Sequence, residues 1–478
     1  MTTKKSAEKK LVSIKKSPKS LGKPMKGRDI LVKALVNEGV KVIFGYPGGA
    51  SMEIHQGLTL APKIRMVLPR HEQGGSFAAG GYARATGEVG VCLATSGPGA
   101  TNLITGIIDA KMDSIPIIAI TGQVPSTVLG SDAFQETDIM GATFPLVKHS
   151  YMIQNVAEIP RIIHEAFHIA RTGRPGPVLV DIPKNIQQQE GVADFDVTFD
   201  VPSYRPNLKP SILQCKKAAH TIQAAKRPII YAGGGIISSG ASAELRAFVK
   251  KTGIPVTTTV MGLGAYPSTD PLSLRMLGMH GAVYANIAMN HADLVIAMGV
   301  RFDDRVTGKL AEFCKNAQII HIDIDPTEIN KNIVVDIPIQ GDVRLALKIL
   351  HDFVEPKKEI KPWIKQVQGW KKEFPLEFKL KKGEIVPQSV VSEINKLADD
   401  DAIFSVGVGQ HQMWAAQFLD FDRPNNWLCS SGLGAMGYGM PAAMGAQVAF
   451  PDRQVINIEG DGSFLMNIQE LQTLKIEN

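Results

Sequence analysis

A short apolar run, a glycine-rich turn and a segment with apolar residues at helical spacing follow one another repeatedly along the chain. The unit recurs at "VKVIFGYPGGAS", "VGVCLATSGPGATN", "IPIIAITGQVP" and "GPVLVDIPKN", then at "RPIIYAGGGIIS", "ADLVIAMGVRFDDR" and "AQIIHIDIDPTEINKN", and again at "DAIFSVGVGQHQMW" and "RQVINIEGDGSF". A strand with one wet face alternates polar and apolar residues. These runs are apolar almost throughout, so both faces are expected to be buried. Such strands alternating with helices predict parallel sheets covered on both sides, an α/β architecture.

Two stretches break the rhythm. Residues 191–211, "GVADFDVTFDVPSYRPNLKPS", are rich in Pro and Asp, and residues 351–387 are charged and carry Trp363 and Trp370. Linkers fall at breaks of this kind. A length of 478 residues accommodates roughly three cores. Three doubly wound parallel-sheet domains are therefore expected, at about 28–190, 205–352 and 385–478. No short repeat of the solenoid type is present.

The formal charge of +6 would suggest an anionic partner if it were spread over the fold. It is not: residues 1–28 hold nine Lys and one Arg against one Glu, leaving about −3 for the remainder. The body is thus not expected to bind nucleic acid. Residues 1–27 read as a basic disordered tail rather than a transit peptide, which would favour Arg over Lys. Cys92, Cys215, Cys314 and Cys429 lie about a hundred residues apart, without the paired spacing of a zinc or redox site, and read as buried thiols. No apolar run approaches the ~20 residues of a membrane span. No membrane association and a cytoplasmic location are expected.

In open parallel sheets, ligands bind beyond the carboxyl ends of strands, where glycine lets backbone N–H groups approach phosphate. In "GLGAMG", Gly432, Gly434 and Gly437 have the spacing of a dinucleotide-binding turn. Pro441 argues against it, because it places the helix start beyond the glycines. Asp461 in "EGDGSF" is suited to a hard divalent cation neutralising a diphosphate, or to an Asx turn capping the next helix. Glu72 in "RHEQG" heads a Gly/Ala-paved segment. There it is either a carboxyl group whose pKa is raised by burial, or an acid favoured by the helix dipole. In "GVRFDDRVTGK", Arg301 and Arg305 stand at a strand end where a guanidinium could grip phosphate or carboxylate, although surface ion pairs also explain such clusters.

Taken in order, "FGYPGGA", "RHEQG", "GYARATG", "SGPGATN", "TGQVP", "DAFQE", "GRPGPVLVDIPK", "LGMHG", "GVRFDDRVTGK", "HIDIDP", "GVGQHQMW", "GLGAMGYGMPAA" and "EGDGSFLMN" resemble the catalytic large subunit of acetohydroxyacid synthase, or acetolactate synthase, over about residues 28–478. The resemblance implies a thiamine-diphosphate enzyme of valine, leucine and isoleucine biosynthesis. Such an enzyme decarboxylates pyruvate and joins the two-carbon unit to pyruvate or 2-oxobutyrate. It also implies Mg²⁺ and a structural FAD, a homodimer or higher oligomer, and a possible regulatory small subunit.

By the same resemblance Glu72 is the acid that hydrogen-bonds the aminopyrimidine, and Asp461 is the Mg²⁺ ligand. Tyr46, Pro98, Val408, Gln410, His411, Gly434 and Met436 are implied as thiamine-diphosphate contacts. Phe134, Gln135, Lys184 and Arg305 fall in the substrate channel, and the planar guanidinium of Arg305 suits a 2-oxo acid carboxylate. FAD contacts are implied at Arg174, Gly233, Gly234, Gly235, Thr259, Leu277, Gly278, Met279, His280, Arg301, Asp303, Asp323 and Asp342. The family's second metal ligand, an Asn, lies well over twenty residues beyond the Asp, whereas here seventeen residues follow Asp461. The third domain is accordingly expected to be incomplete, truncated at its C-terminus relative to the family pattern. One local departure is "EQGGSFAAGGYAR", with Gly and Ser where a more Ala-rich helix is expected; such a helix depends on packing for its form.

Two other functions fit part of the same pattern. One is a different thiamine-diphosphate and FAD enzyme such as a pyruvate oxidase, against which "RFDDR" and "DAFQE" argue. The other is an inactive truncated form that only binds cofactor.

Overall fold

Apolar runs pair with one another in parallel and build three sheets; most are buried on both faces as expected, but the last, Val455–Ile458, is only half-buried along its length because it lies at a sheet edge. The computed structural model describes residues 23–196, 201, 203–381 and 383–478. The basic tail lies outside the described residues up to position 22. The first region contains β1 (Met25–Lys26), β2 (Val42–Gly45), β3 (Arg65–Val67), β4 (Gly90–Ala94), β5 (Ile117–Gln123), β6 (His149–Met152), β7 (Val178–Pro183) and β8 (Glu190–Gly191). Six of these strands form a parallel sheet in the order β3-β2-β4-β5-β7-β6, and β1 and β8 pair as an antiparallel ribbon.

The central region contributes β9 (Pro228–Ala232), β10 (Val256–Thr258), β11 (Ser273–Met276), β12 (Leu294–Met298), β13 (Gln318–Asp323) and β14 (Ile337–Gln340). Their order, β11-β10-β9-β12-β13-β14, is the 3-2-1-4-5-6 arrangement of dinucleotide-binding sheets. The third region holds β15 (Ile403–Val406), β16 (Trp427–Cys429) and β17 (Val455–Ile458), in the order β16-β15-β17. That is the same 2-1-3 order as β3-β2-β4, so the first and third sheets share a topology over three strands.

The shared topology produces two equivalent helices. Glu72–Thr86 follows β3, Gly439–Ala449 follows β16, and the two pack face to face. Residues Gly74 to Ala85 of the first are all buried, so packing supplies what its glycine-rich sequence lacks in intrinsic helix preference. A Cβ on Gly81 would lie 2.3 Å from the carbonyl oxygen of Ala442, and one on Gly445 would lie 2.0 Å from that of Ala78. The backbones meet with nothing between them. The second helix opens at Gly439, beyond all three glycines of "GLGAMG", which excludes the dinucleotide-binding turn. Pro441 sits at its third residue rather than its first, still in the turn where no backbone N–H is required.

The charged stretch 351–387 is not simply a linker. It contains the helix Lys361–Glu373, on which Trp363, Val367 and Trp370 share one face. Trp363 is 2% exposed and donates from Nε1 to Pro228 O at 2.9 Å, which fastens the helix to the central core. All four cysteines are free and buried. Among the described residues, no helix is long and apolar enough to cross a membrane.

Between the first and central regions, Lys148 is half-buried against the end of the helix Ile159–Arg171. Its Nζ donates to Ile169 O and Thr172 O at 2.5 Å and to Tyr204 Oη at 2.7 Å. Burial, with Lys111 adding to it, pulls its pKa down to about 7. The unfolded chain, with an ordinary lysine pKa of about 10.4, binds the extra proton between these values. Stability should therefore rise with pH from about 7 to about 10.4 and level off above, relative to a Lys148→Met variant that lacks the slope; urea unfolding of both proteins across that range measures the difference. At the helix pair, Gly445→Ala should lower the thermal midpoint. The helix preference it gains, roughly 0.5–1 kcal/mol, is outweighed by an overpacking cost of about 1–3 kcal/mol.

Candidate active site

The third sheet reverses its strand order between β15 and β17, and the loops leaving these strands diverge around a cavity of about 680 Å³. Val408, Gln410 and His411 reach it from the end of β15, Asp461 from the end of β17, and Met436 from the loop after β16. Gly434 adjoins this group, since a Cβ there would lie 3.9 Å from Val408 Cγ1, and its φ of +70° is one that glycine adopts freely. Asp461 is exposed at the first residue of the helix Asp461–Met466, and among the described residues its carboxylate has no hydrogen-bond partner. It caps nothing, so the Asx-turn reading does not describe it.

Behind Asp461 the cavity wall is polar and strained electrostatically. Glu459 accepts from Met440 N at 2.9 Å through Oε1, while its buried Oε2 has no hydrogen-bond partner and lies 4.0 Å from the equally unpartnered Nε2 of His411. Burial raises the Glu459 pKa and lowers that of His411, the latter opposed by its hydrogen bond with the Gly407 backbone and by Asp461. Orphaned buried polar atoms facing a cavity are what a polar ligand would satisfy. Asn467, the nearest Asn after Asp461 in sequence, is spent elsewhere: its Nδ2 donates to Gly437 O at 2.7 Å. Among the described residues, no group of three or more His, Cys, Asp or Glu is gathered for a metal. Asp461 therefore stands as a single carboxylate, matching a cation that takes most of its oxygens from a ligand.

The first sheet places its own set at the carboxyl ends of its strands. Tyr46 follows β2, Glu72 opens the helix after β3, Pro98 opens the short helix Pro98–Asn102 after β4, and Lys184 follows β7. His71 caps the Glu72 helix by accepting from Gln73 N at 3.1 Å. Glu72 is half-buried and accepts from Asn102 Nδ2 at 2.9 Å, so its carboxyl group is aimed as well as dipole-favoured. Phe134 is 88% exposed, and Gln135 has a φ of +59°, a left-handed conformation that non-glycine residues seldom take. Gln135 is held there against Gly97, where a Cβ would meet its carbonyl oxygen at 2.8 Å. Glu136 ties the loop internally by accepting from Gly130 N and Ala133 N, bonds that hold its pKa below the ordinary carboxylate value. None of these residues lines the cavity around Asp461.

In the central sheet, Gly233 to Gly235 follow β9, Thr259 follows β10, Leu277 to His280 follow β11, Arg301 and Asp303 follow β12, Asp323 ends β13 and Asp342 follows β14. All therefore lie along one carboxyl edge. Several have structural work there. Thr259, Asp303 and Asp342 cap helices through Gly262 N, Arg305 N and Leu345 N. Gly233 N and Gly235 N donate to Met298 O and Gly299 O at the β9/β12 strand-order reversal. Arg174 reaches the edge from the first region and pairs with Asp325 at 3.1 Å and Glu328 at 2.6 Å. Asp323, 8% exposed, has its pKa raised by burial to about 7. Met279 and Arg305 are exposed, the Arg305 side chain pairing only loosely with Asp304 at 3.7 Å.

No sequence motif contains Asp113, and Asn102 closes "SGPGATN" without a role being assigned to it there. Asp113 ends the helix Ile104–Asp113 and accepts from Ser431 N at 2.9 Å and Gly432 N at 2.7 Å, across to the loop that carries Gly434 and Met436. Arg84, fully enclosed, donates to Asp113 at 2.9 Å and to Asp109 at 3.0 Å and lies over the Tyr438 ring. A first-region acid thus holds a third-region loop.

Three family models match the chain: the thiamine pyrophosphate enzyme N-terminal TPP binding domain at residues 25–142, the central domain at 215–350 and the C-terminal TPP binding domain at 407–478. Among curated proteins, the chain is 54% identical over 462 residues to "Acetolactate synthase 3, chloroplastic" of Brassica napus, covering 95% of this chain and 71% of that protein. It is likewise 54% identical to "Acetolactate synthase, chloroplastic" of Arabidopsis thaliana, covering 95% and 69%, and 55% identical to "Acetolactate synthase 1, chloroplastic" of Oryza sativa subsp. japonica, covering 95% and 71%.

Removing the Asp113 carboxylate would strand two loop N–H groups, while Arg84 would keep Asp109 as its partner. Asp113→Ala should cost about 2–6 kcal/mol, from about 1–3 kcal/mol for each donor left unsatisfied, and urea denaturation followed by tryptophan fluorescence measures it.

Proposed function

Since the chain belongs to the acetolactate synthase family of thiamine-diphosphate enzymes, we propose that its cofactor is held between the Asp461 cavity of one chain and the Glu72 edge of a second copy. Membership carries the reaction class: a transferase that decarboxylates pyruvate and condenses the two-carbon unit with a second 2-oxo acid, in branched-chain amino-acid biosynthesis. The observation that carries the two-chain reading is the separation of the two sets. Val408, Gln410, His411, Met436 and Asp461 line one cavity, and no first-sheet residue joins them.

Bound thiamine diphosphate supplies a thiazolium carbon acidic enough to become the nucleophile. The chain's residues do the rest. In this reading Glu72, oriented by Asn102, keeps a proton on the aminopyrimidine ring nitrogen. Asp461 holds Mg²⁺ against the diphosphate, and the unpartnered polar atoms of His411 and Glu459 fit a polar occupant of the same cavity. Met436 presents apolar bulk to the ring system. Gln135, Lys184, Phe134 and Arg305 guide and bind the 2-oxo acid, with Arg305 matching its carboxylate by a two-pronged donor set. FAD is proposed at the carboxyl edge of the central sheet, supported by its 3-2-1-4-5-6 order and the Gly233–Gly235 turn at its reversal point.

Incubation of the purified chain with pyruvate, thiamine diphosphate, Mg²⁺ and FAD should yield acetolactate. Glu72→Gln should reduce the rate by about 10²-fold or more, the usual worth of a positioned acid–base group. Asp461→Ala should abolish the Mg²⁺ dependence of thiamine diphosphate binding measured by calorimetry. Acetyl phosphate as the product would favour the pyruvate oxidase reading, and full turnover by Glu72→Gln would contradict the role of that acid.

A further inference from the structure

The turn between β3 and the Glu72 helix is fastened from the third region. Arg70 N donates to both carboxylate oxygens of Glu470, at 2.9 and 3.1 Å, and His71 N donates to Oε1 at 3.1 Å. Glu470 opens the helix Glu470–Glu477 of the third region, is 0% exposed, and also accepts from Thr473 Oγ1 at 2.7 Å. It lies nine positions after Asp461, and its bond to Arg70 spans 400 residues of sequence. Burial raises its pKa, and the Arg70 and His71 N–H bonds oppose that rise.

The placement repeats that of Asp113. Each of the two related sheets has a second strand, β3 or β16, followed by a turn and a small-residue helix. Each turn gives two successive backbone N–H groups to a carboxylate borne on the helices after the other sheet's third strand: Arg70 and His71 to Glu470, Ser431 and Gly432 to Asp113. The acceptor site is also sterically built for Glu470. A Cβ on Gly74 would lie 2.5 Å from Glu470 Oε1 and 2.8 Å from its Cδ, so the carboxylate reaches the turn only because residue 74 has no side chain.

We infer that Glu470 is a positioning residue for Glu72: its carboxylate clasps the Arg70–His71 turn and thereby sets where the Glu72 helix begins. The inference rests on the proposed role of Glu72. Because His71 is both clasped through its N–H and the cap of that helix, losing the clasp frees the cap and moves the acid. Displacements of about 1 Å at a catalytic group cost up to 10²-fold in rate.

The test compares the full chain with Glu470→Ala, Glu470→Gln and Gly74→Ala, by amide hydrogen exchange of the segment 68–75 without cofactor and by pyruvate kinetics with it. Glu470→Ala should expose the Arg70 and His71 amides to exchange and lower kcat about 10- to 100-fold, with KM for pyruvate changed by less than about threefold. Glu470→Gln keeps an oxygen able to accept both N–H groups and should restore protection and most of kcat. Gly74→Ala places a better helix former in the helix yet displaces the carboxylate, so it should reproduce the Ala phenotype with Glu470 still in place. Wild-type protection or wild-type kcat in Glu470→Ala, or a Gln variant as impaired as the Ala variant, would overturn the inference. If the unmodified chain forms no acetolactate, the proposed function fails while exchange at Arg70 and His71 still decides the clasp.

Discussion

Backbone-to-backbone packing of the helices Glu72–Thr86 and Gly439–Ala449 is the constraint on which the site depends. Two helices come this close only where neither carries a side chain at the crossing, and Gly81 and Gly445 meet that condition against Ala442 and Ala78. The cost in intrinsic helix preference is offset by burying nearly the whole of the first helix. The consequence for chemistry is rigidity. The acid-bearing turn of one sheet and the cofactor loop of the other are fixed to a common, closely packed pair, so in the two-chain reading each chain holds its halves of two different sites in one rigid frame.

Buried charge is concentrated on the same seam. Arg84, Asp109 and Asp113 form an enclosed cluster with one more negative than positive charge, and the backbone N–H groups of Ser431 and Gly432 take up part of the excess. An isolated buried carboxylate would be expensive. Spending it on the N–H groups of a loop that otherwise lacks backbone partners turns the expense into alignment. At the far end of the seam Arg65 pairs with Glu477 at 2.5 Å, so the last helix is tied to β3 as well as to its turn.

Much of this was legible in the chain. The apolar runs mark every interior strand except β10, and the glycine-rich turns after them mark the carboxyl edges at which the candidate residues lie. Of the strands outside those runs, β3, β6, β11, β14 and β16 are edge strands paired on one side only, on which burial does not force a continuous apolar run, whereas β10 is an interior strand of three residues, two of them Thr, too short and polar to register as one. The helix Lys361–Glu373 reads as linker in sequence because its charges outnumber its apolar residues, although Trp363 and Val367 suffice to anchor it. Asp113 lies in no motif, and Asn102 closes "SGPGATN" with nothing local to show that it faces Glu72. Asp113 bonds across 319 residues of sequence, a pairing created by the shared topology of two sheets and invisible to any local pattern. The same topology explains why Glu72 and Asp461 do not meet in one chain: each lies at its own sheet's edge, with the helix pair between the sheets.

A site completed by a second copy makes a quantitative demand on mixtures of inactive chains. Co-expression of Glu72→Gln and Asp461→Ala chains, purified together, tests it directly through acetolactate formation. Mixed dimers would contain one site with both residues intact, so random pairing predicts about a quarter of the unmodified activity from two chains that are each inactive alone. Mixed dimers that form but remain as inactive as either parent would contradict the account, because the two residues would then have to act within a single chain.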